Sequence, residues 1–412
     1  MKKVWQTKRL SEVSDVFDGP HATPNTIDSG PIFLGIGALQ DGIINLRETR
    51  HVTEEDFAHW TRRVRPQPDD VVFSYETRLG QAAIIPEGLK CCLGRRMGLV
   101  RFKGDGVNSR FFLYQYLSPQ FREFLDSKII RGATVDRFSI KDFPSFPIAV
   151  PPLPEQQRIV GILDAAFEGL ATAKANAEKN LLNARALFDS HLQAVFSQRS
   201  LNGAEGRGKG WVEKPFSELC DIKHGFAFKG EFFTKQGRYV VLTPGNYYEA
   251  GGYRDRGEKQ KYYAGEIPPD YIMKEGDMLV AMTEQAAGLL GSPLLVPESD
   301  KFLHNQRLGL VTQKPDVPWT NEFFFHVFNT QAVRKAIHDS ASGVKVRHTS
   351  PTKIGEVVVS FPTSIKEQKS IVSVLADLTT ETQRLAAIYQ HKLAALDALK
   401  KSLLHQAFSG EL

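Results

Sequence analysis

EQQRIVGILDAAF at 155–167 returns as EQKSIVSVLADLT at 367–379, an offset of 367 − 155 = 212. The same offset joins Phe196-Ser197 to Phe408-Ser409, so segments 155–197 and 367–409 match at both ends without a net gap. In the first, apolar residues fall at Ile159, Leu163, Ala166, Leu170, Ala173, Ala177, Leu181, Ala184, Phe188 and Val195. The second places Ile371, Leu375, Leu378, Leu385, Tyr389, Leu396, Leu399 and Leu403 in the same manner. Steps of three and four, with His191, Thr382 and Lys392 filling the remaining slots, put each set on one helical stripe, and neither segment contains a proline. The spacing predicts two long amphipathic helices. Pro154 suits the first turn of one, Ser364 and Glu367 form a capping-box pattern at the other, and Gly410 marks its end. A helix of this length needs a partner to bury its stripe. Two in one chain are each other's obvious partner, as an antiparallel coiled coil of roughly 60 Å at ~1.5 Å rise per residue, with a globular domain near each end.

The flanking regions repeat more weakly. Trp5, Ser11, Glu12, Asp15 and Gly19 align with Trp211, Ser217, Glu218, Asp221 and Gly225, at 211 − 5 = 206. Met97-Gly98-Leu99-Val100 aligns with Leu308-Gly309-Leu310-Val311, and Gly132 and Val135 with Gly343 and Val346. The expected plan is a domain at 1–150, a long helix in 151–199, a linker and second domain at 200–362, and a long helix in 363–412. The domains read as mixed α/β (α+β). Short β-like runs at 31–39, 70–75, 98–102, 277–282, 309–313 and 356–361 are punctuated by Gly, Pro, Asn and Asp. Helices are expected at 110–128 and 321–338, and LNGAEGRGKG at 201–210 reads as a flexible joint.

Composition narrows the class. The 412 residues are 42% hydrophobic and 24% charged, a globular balance, and suit two domains rather than one core. A net charge of +5 permits nucleic-acid binding without demanding it. No apolar run approaches the ~18 residues of a spanning helix. The start MKKVWQTKRL lacks the apolar stretch of a secretory signal, so a cytoplasmic protein is expected. Cys91, Cys92 and Cys220 have neither zinc-site nor disulfide spacing and read as reduced thiols.

Catalytic motifs fail on context. Phe33-Leu34-Gly35-Ile36-Gly37 spells a methyltransferase-like F-x-G-x-G, but the residues after it resemble a strand and turn, where cofactor binding needs a helix. Gly203 to Lys209 opens like a phosphate loop, but Gly210 stands where the Mg²⁺-binding Ser or Thr belongs. Asp69 and Glu76 lack the companion residues of a metal nuclease, and no metal site is expected.

Polar loops carry the candidate DNA-reading residues. They are His21, Thr23 and Asn25; Tyr75, Thr77, Arg78 and Gln81; Arg131, Thr134 and Arg137; and, in the second domain, Lys223, Lys229, Thr283, Gln285, Lys345 and Arg347. Arg suits guanine O6/N7, Asn and Gln suit adenine N6/N7, and Lys and Arg neutralise phosphates.

PPLPEQQRIVGILD at 151–164, IKEQKSIVSVLAD at 365–377 and KKSLLHQAFSGEL at 400–412 resemble the specificity subunit of type I restriction-modification systems, and the likeness runs along essentially the whole chain. Gly132-Ala133-Thr134-Val135 and Leu10-Ser11-Glu12-Val13 are weaker marks of it. The resemblance implies a non-catalytic subunit whose two recognition domains each read one half of an asymmetric bipartite target in double-stranded DNA. It implies a helical spacer that docks two modification (methyltransferase) subunits, with restriction (translocase/nuclease) subunits completing the complex. S-adenosylmethionine, ATP and Mg would sit on those partners. Glu155, Gln156, Ile159, Leu163, Phe196, Glu367, Gln368, Ile371, Leu375 and Phe408 are the expected partner-binding helix residues. A coiled-coil adaptor whose ends bind proteins is the rival reading, separable because DNA binding weakens steeply with salt.

Overall fold

The computed structural model describes residues 5–132, 135–201, 210–285 and 288–412, with backbone alone for 197–201. The chain divides into two compact units, Met1–Lys179 with Tyr389–Leu412, and Asn180–Ile388. Both long helices therefore contribute a stretch to each unit.

In the first unit, strand Gln6–Arg9 leads through one helical turn, Leu10–Val13, into strand Ser14–Asp18. Gln6–Arg9 pairs antiparallel with Pro147–Val150, which brings the two ends of the domain together. Ser14–Asp18 edges a four-stranded antiparallel sheet that continues through Met97–Phe102, Val71–Ser74 and Ala82–Ile84. A smaller sheet holds Arg50–His51, Ile27–Leu34 and Cys91–Leu93. Phe73, Phe112, Tyr116, Phe138 and Phe143 form an aromatic core over the main sheet. Gly98 is required there, because a Cβ would lie 2.2 Å from the Phe73 ring.

The second unit repeats the plan. Trp211–Pro215, Phe216–Leu219 and Cys220–His224 follow in the same strand-turn-strand order, and Trp211–Pro215 pairs with Val358–Pro362. The main sheet runs Cys220–His224, Leu308–Gln313, Met278–Ala281, Pro293–Leu295. Gly309 stands where Gly98 does, with a would-be Cβ 2.6 Å from Ile222. Different aromatics fill the core: Phe216 stacks on Phe328 at 4.3 Å, and Trp319 on Phe324 at 3.5 Å.

Two expected helices are broken. The segment 110–128 forms Ser109–Leu117 and Pro119–Ser127, because Pro119 has no N–H to continue the ladder and Ser118 caps the second helix by accepting from the Phe121 N–H at 3.2 Å. Likewise 321–338 forms Asn321–Phe328 and Gln331–Asp339, with Thr330 as the cap. The run 31–39 is also not one strand: Ile27–Leu34 ends at Gly35, and Ile36–Ala38 makes a tight turn of helix.

The long helices are Leu153–Leu201 and Ile365–Ser409. Ser364 Oγ accepts from the Glu367 N–H at 3.3 Å. At the far end Gly410 adopts φ +78°, which lets the Glu411 N–H reach the Gln406 carbonyl at 3.1 Å. The pairing is antiparallel within the first unit: Arg158 donates to the Leu412 carbonyl at 2.9 Å, and Lys174 pairs with Asp397 at 3.0 Å. Ile159, Leu163, Leu404 and Ala407 share a core there with Phe111 and Tyr114. In the second unit Leu192 and Phe196 share a core with Ile371, Leu375, Trp211 and Phe323.

Each long helix is pinned at its start by a glutamine without solvent exposure. The Gln156 amide donates to Pro151 and Gly106 carbonyls at 2.8 and 3.1 Å and accepts from the Asn108 N–H at 2.8 Å. The Gln368 amide donates to Pro362 and Pro318 carbonyls at 3.0 and 2.8 Å and accepts from the Thr320 hydroxyl at 3.1 Å. Asn108 caps the start of Ser109–Leu117 and Thr320 immediately precedes Asn321–Phe328, so each glutamine ties a long helix to the start of a short one. Most of the expected partner-binding helix residues are turned inward. Gln156, Ile159, Leu163, Gln368 and Leu375 are fully buried, and Ile371 and Phe196 nearly so. Phe408 is half-buried against Phe111 and Trp5. Glu155 pairs with Arg158, and Glu367 accepts from the Trp211 indole at 2.8 Å. These residues hold their own units together.

Candidate nucleic-acid interface

In the first unit the end of strand Ser14–Asp18 is locked to the loop ahead of strand Met97–Phe102. The Gly19 N–H donates to the Met97 carbonyl at 2.8 Å, and a Cβ on Gly19 would lie 2.6 Å from that oxygen. His21, Thr23 and Asn25 follow on an exposed segment, with His21 Nε2 3.0 Å from Asp18. Tyr75 is buried and donates to the other Asp18 oxygen at 2.8 Å. Burial and the Asp18 carboxylate push its phenol pKa up, so it stays a donor. Tyr75, named among the expected readers, is turned inward and ties this turn to Asp18.

The 130–137 loop is laced to the same place. The Thr77 N–H reaches the Asp136 carbonyl at 3.1 Å, and the Phe138 N–H reaches that of Tyr75 at 3.1 Å. Thr77 is exposed at φ +66°, and Arg131 and Arg137 are exposed; Thr134 lies outside the described residues. Two of the expected readers are held internally. Arg78 donates to the Gly37 carbonyl at 2.7 Å, and Gln81 accepts from the Asp41 N–H at 2.7 Å.

The result is a cleft lined by Glu76, Arg95, Arg96, Ile130, Gly132, Val135 and Arg137, in which Arg96 pairs with Glu76. A neighbouring cleft contains Asp18, Gly19, His59, Trp60, Arg62 and Arg63. The sequence reading names none of Arg62, Arg63, Arg95 and Arg96. Their signal is the doubled arginine in each of two Gly/Pro-flanked loops.

In the second unit Lys223 is exposed, its ammonium 4.9 Å from the Tyr271 ring centre and 3.8 Å from Asp270. Lys229, Gln285 and Lys345 are exposed and Thr283 is half-buried. Arg347 turns inward, donating to the His338 ring at 2.7 Å and to its carbonyl at 2.8 Å. Beneath the 305–307 loop lies His304, with no solvent exposure and its Nε2 2.9 Å from the Leu308 carbonyl. Burial lowers its pKa to about 4, so the neutral ring donates this bond. Glu284, also buried, accepts from the N–H groups of Gly288, Leu289 and Leu290 at 3.0, 3.0 and 2.9 Å. The exposed groups are cations, amides and hydroxyls on pinned backbone, which can hydrogen-bond base edges and neutralise phosphates. Among the described residues no three His, Cys, Asp or Glu gather to hold a metal ion, and no helix is long and apolar enough to cross a membrane.

A profile described as "Type I restriction modification DNA specificity domain" matches residues 2–183 and again 208–390. The chain is 25% identical over 227 residues to the specificity subunit of the type I restriction enzyme EcoBI of Escherichia coli, covering 55% of this chain and 44% of that protein. The match thus spans less than half the length of that relative. Two solved structures share the fold. One, described as the basis of complex assembly and conformational transition of the type I R-M system, has a TM-score of 0.74 at 18% identity, covering 99% of this chain and 98% of that one. The crystal structure of the HsdS subunit from Thermoanaerobacter tengcongensis gives 0.61 at 18% identity, covering 99% and 97%.

Proposed function

Because the chain belongs to the family of type I restriction modification DNA specificity domains, we propose that it is the sequence-reading subunit of a type I restriction-modification complex. Each unit reads one half of a bipartite target in duplex DNA. The observation that carries this is one backbone frame built twice, with different exposed side chains on its equivalent loops. Arg95, Arg96, Arg131 and Arg137 face outward or into the cleft in the first unit, and Lys223, Gln285, Gln306 and Lys345 are exposed in the second. Equal frames with unequal side chains suit a target with two unlike halves.

The long helices, which both units share, set the spacing of the half-sites and dock two modification subunits. Support for two equal docking places comes from outward apolar side chains that the duplication repeats. Ile162 and Val374 are both exposed, at 374 − 162 = 212, and so are Leu187 and Leu399, at 399 − 187 = 212. The chain contributes recognition and no catalytic group. S-adenosylmethionine is held by the modification subunits, which flip an adenine out of the duplex to methylate it. ATP and Mg serve the restriction subunits, and the complex works in the cytoplasm.

Methylation-aware sequencing of DNA from cells making this chain with its modification partners tests the proposal. The expected result is one asymmetric bipartite methyladenine motif, with duplex binding that weakens steeply as salt is added. No motif, together with salt-insensitive binding, favours a protein adaptor and overturns it.

A further inference from the structure

The loops ahead of Met97–Phe102 and Leu308–Gln313 occupy one frame. Gly94-Arg95-Arg96 in the first unit corresponds to Asn305-Gln306-Arg307 in the second, at 306 − 95 = 211. Each is fixed on both sides. Gly19 N–H to Met97 carbonyl, 2.8 Å, is matched by Gly225 N–H to Leu308 carbonyl, 3.3 Å. Tyr75 N–H to Arg96 carbonyl, 3.4 Å, is matched by Met282 N–H to Arg307 carbonyl, 3.0 Å. A Cβ on either glycine would collide with the loop: Gly19 with the Gly94 oxygen at 2.9 Å, Gly225 with that of Asn305 at 2.2 Å. The second loop is held further by the Gln306 N–H, which donates to the Phe226 carbonyl at 3.1 Å, and by buried His304 beneath it.

On this fixed backbone the middle residue differs. Arg95 and Gln306 are both exposed, and neither side chain has a hydrogen-bond or ion-pair partner among the described residues. Arg96, next along, is paired with Glu76. A side chain that reads a base needs an anchored Cα and uncommitted donors and acceptors, and these two have both. The guanidinium fork matches guanine O6 and N7, and the carboxamide matches adenine N6 and N7.

Resting on the recognition role argued above, we propose that Arg95 reads a guanine in one half-site and Gln306 an adenine at the equivalent place in the other. Exchange of this one residue on a shared frame is then a source of the asymmetry of the target.

The test uses the full complex with R95Q, R95K and Q306R, reading the methylated motif. R95Q relaxes or replaces one guanine position in one half-site, by roughly tenfold or more in discrimination, and leaves the other half unchanged. Q306R does the reverse, altering one adenine position of the other half. R95K keeps the charge but loses the fork, so it relaxes that same guanine position. A second measurement needs no variant to fold: 7-deazaguanine at the guanine position of a target duplex lowers methylation by the unaltered complex. Motifs unchanged in all three variants overturn the proposal. So does R95Q lowering methylation uniformly while R95K restores it with the motif intact, because Arg95 would then be a phosphate contact. If the unaltered complex gives no bipartite motif, the recognition role itself falls and takes this proposal with it.

Discussion

His304 makes the second unit sensitive to acid. Its ring is sealed from solvent and donates Nε2–H to the Leu308 carbonyl, and burial holds its pKa at about 4. Burial holds His326, in the same unit, at about 4 as well. An unfolded histidine titrates near 6.5. Between pH 6.5 and 4 the unfolded chain therefore binds more protons than the folded one. Stability is complete above the upper value and falls as pH drops through that window, by roughly 3 kcal/mol for His304. H304Q keeps a donor at the ε position and removes the titration. Its urea unfolding midpoint should fall less between pH 7 and pH 4.5 than that of the unaltered chain, and equal losses would sink the argument. Residue type announces none of this. Tyr75, Arg78 and Arg347 have the same chemistry as base readers, yet they turn to Asp18, Gly37 and His338. Exposure is set by contacts with other elements of the fold, so loops were legible as polar loops while the free side chains on them were not.

Elements were more legible, because their signals are local. Pro154, the Ser364–Glu367 pair and Gly410 all act where their positions indicate. The break at Ser118-Pro119 was present in the residues as well, since proline favours the first turn of a new helix. The break at Asn329-Thr330 has no such mark, and there the Thr330 cap and the surrounding core decide. What periodicity could not reveal is the role of polar residues inside the repeated segments. Gln156 and Gln368 resemble surface residues of a docking helix, but each is itself buried and satisfies three polar groups of its own unit, one of them in a fully buried bond. Replacing either by leucine preserves size and removes the amide, stranding two carbonyls and one donor. Q156L and Q368L should each lower unfolding free energy by on the order of 3 kcal/mol. The two lie in different units, so the double variant should show the sum. Changes below about 0.5 kcal/mol would mean water replaces the amide at no loss.

At the scale of the whole molecule the duplication is the organising fact. It was legible because the constraints on the long segments are repeated with one offset, whereas the small sheets and aromatic cores of the two units have diverged. The duplication also makes a quantitative demand on assembly. The first unit exposes Ile162 and Leu399, and the second exposes their counterparts Val374 and Leu187. Under the proposed function, a surface repeated twice in one chain offers two equivalent docking places, one for each of two modification subunits. Covering the exposed part of one such half-exposed aliphatic side chain contributes about 1 kcal/mol, and an aspartate in its place adds desolvation of a charge. I162D and V374D should therefore each weaken one docking place by more than tenfold, with little effect on folding, because both positions already face solvent. Native mass spectrometry of the assembled complex should find about one modification subunit per chain in either single variant, and none in the pair. Two bound copies persisting in the double variant would place docking on a different surface and separate the duplication of the helices from the stoichiometry of the complex.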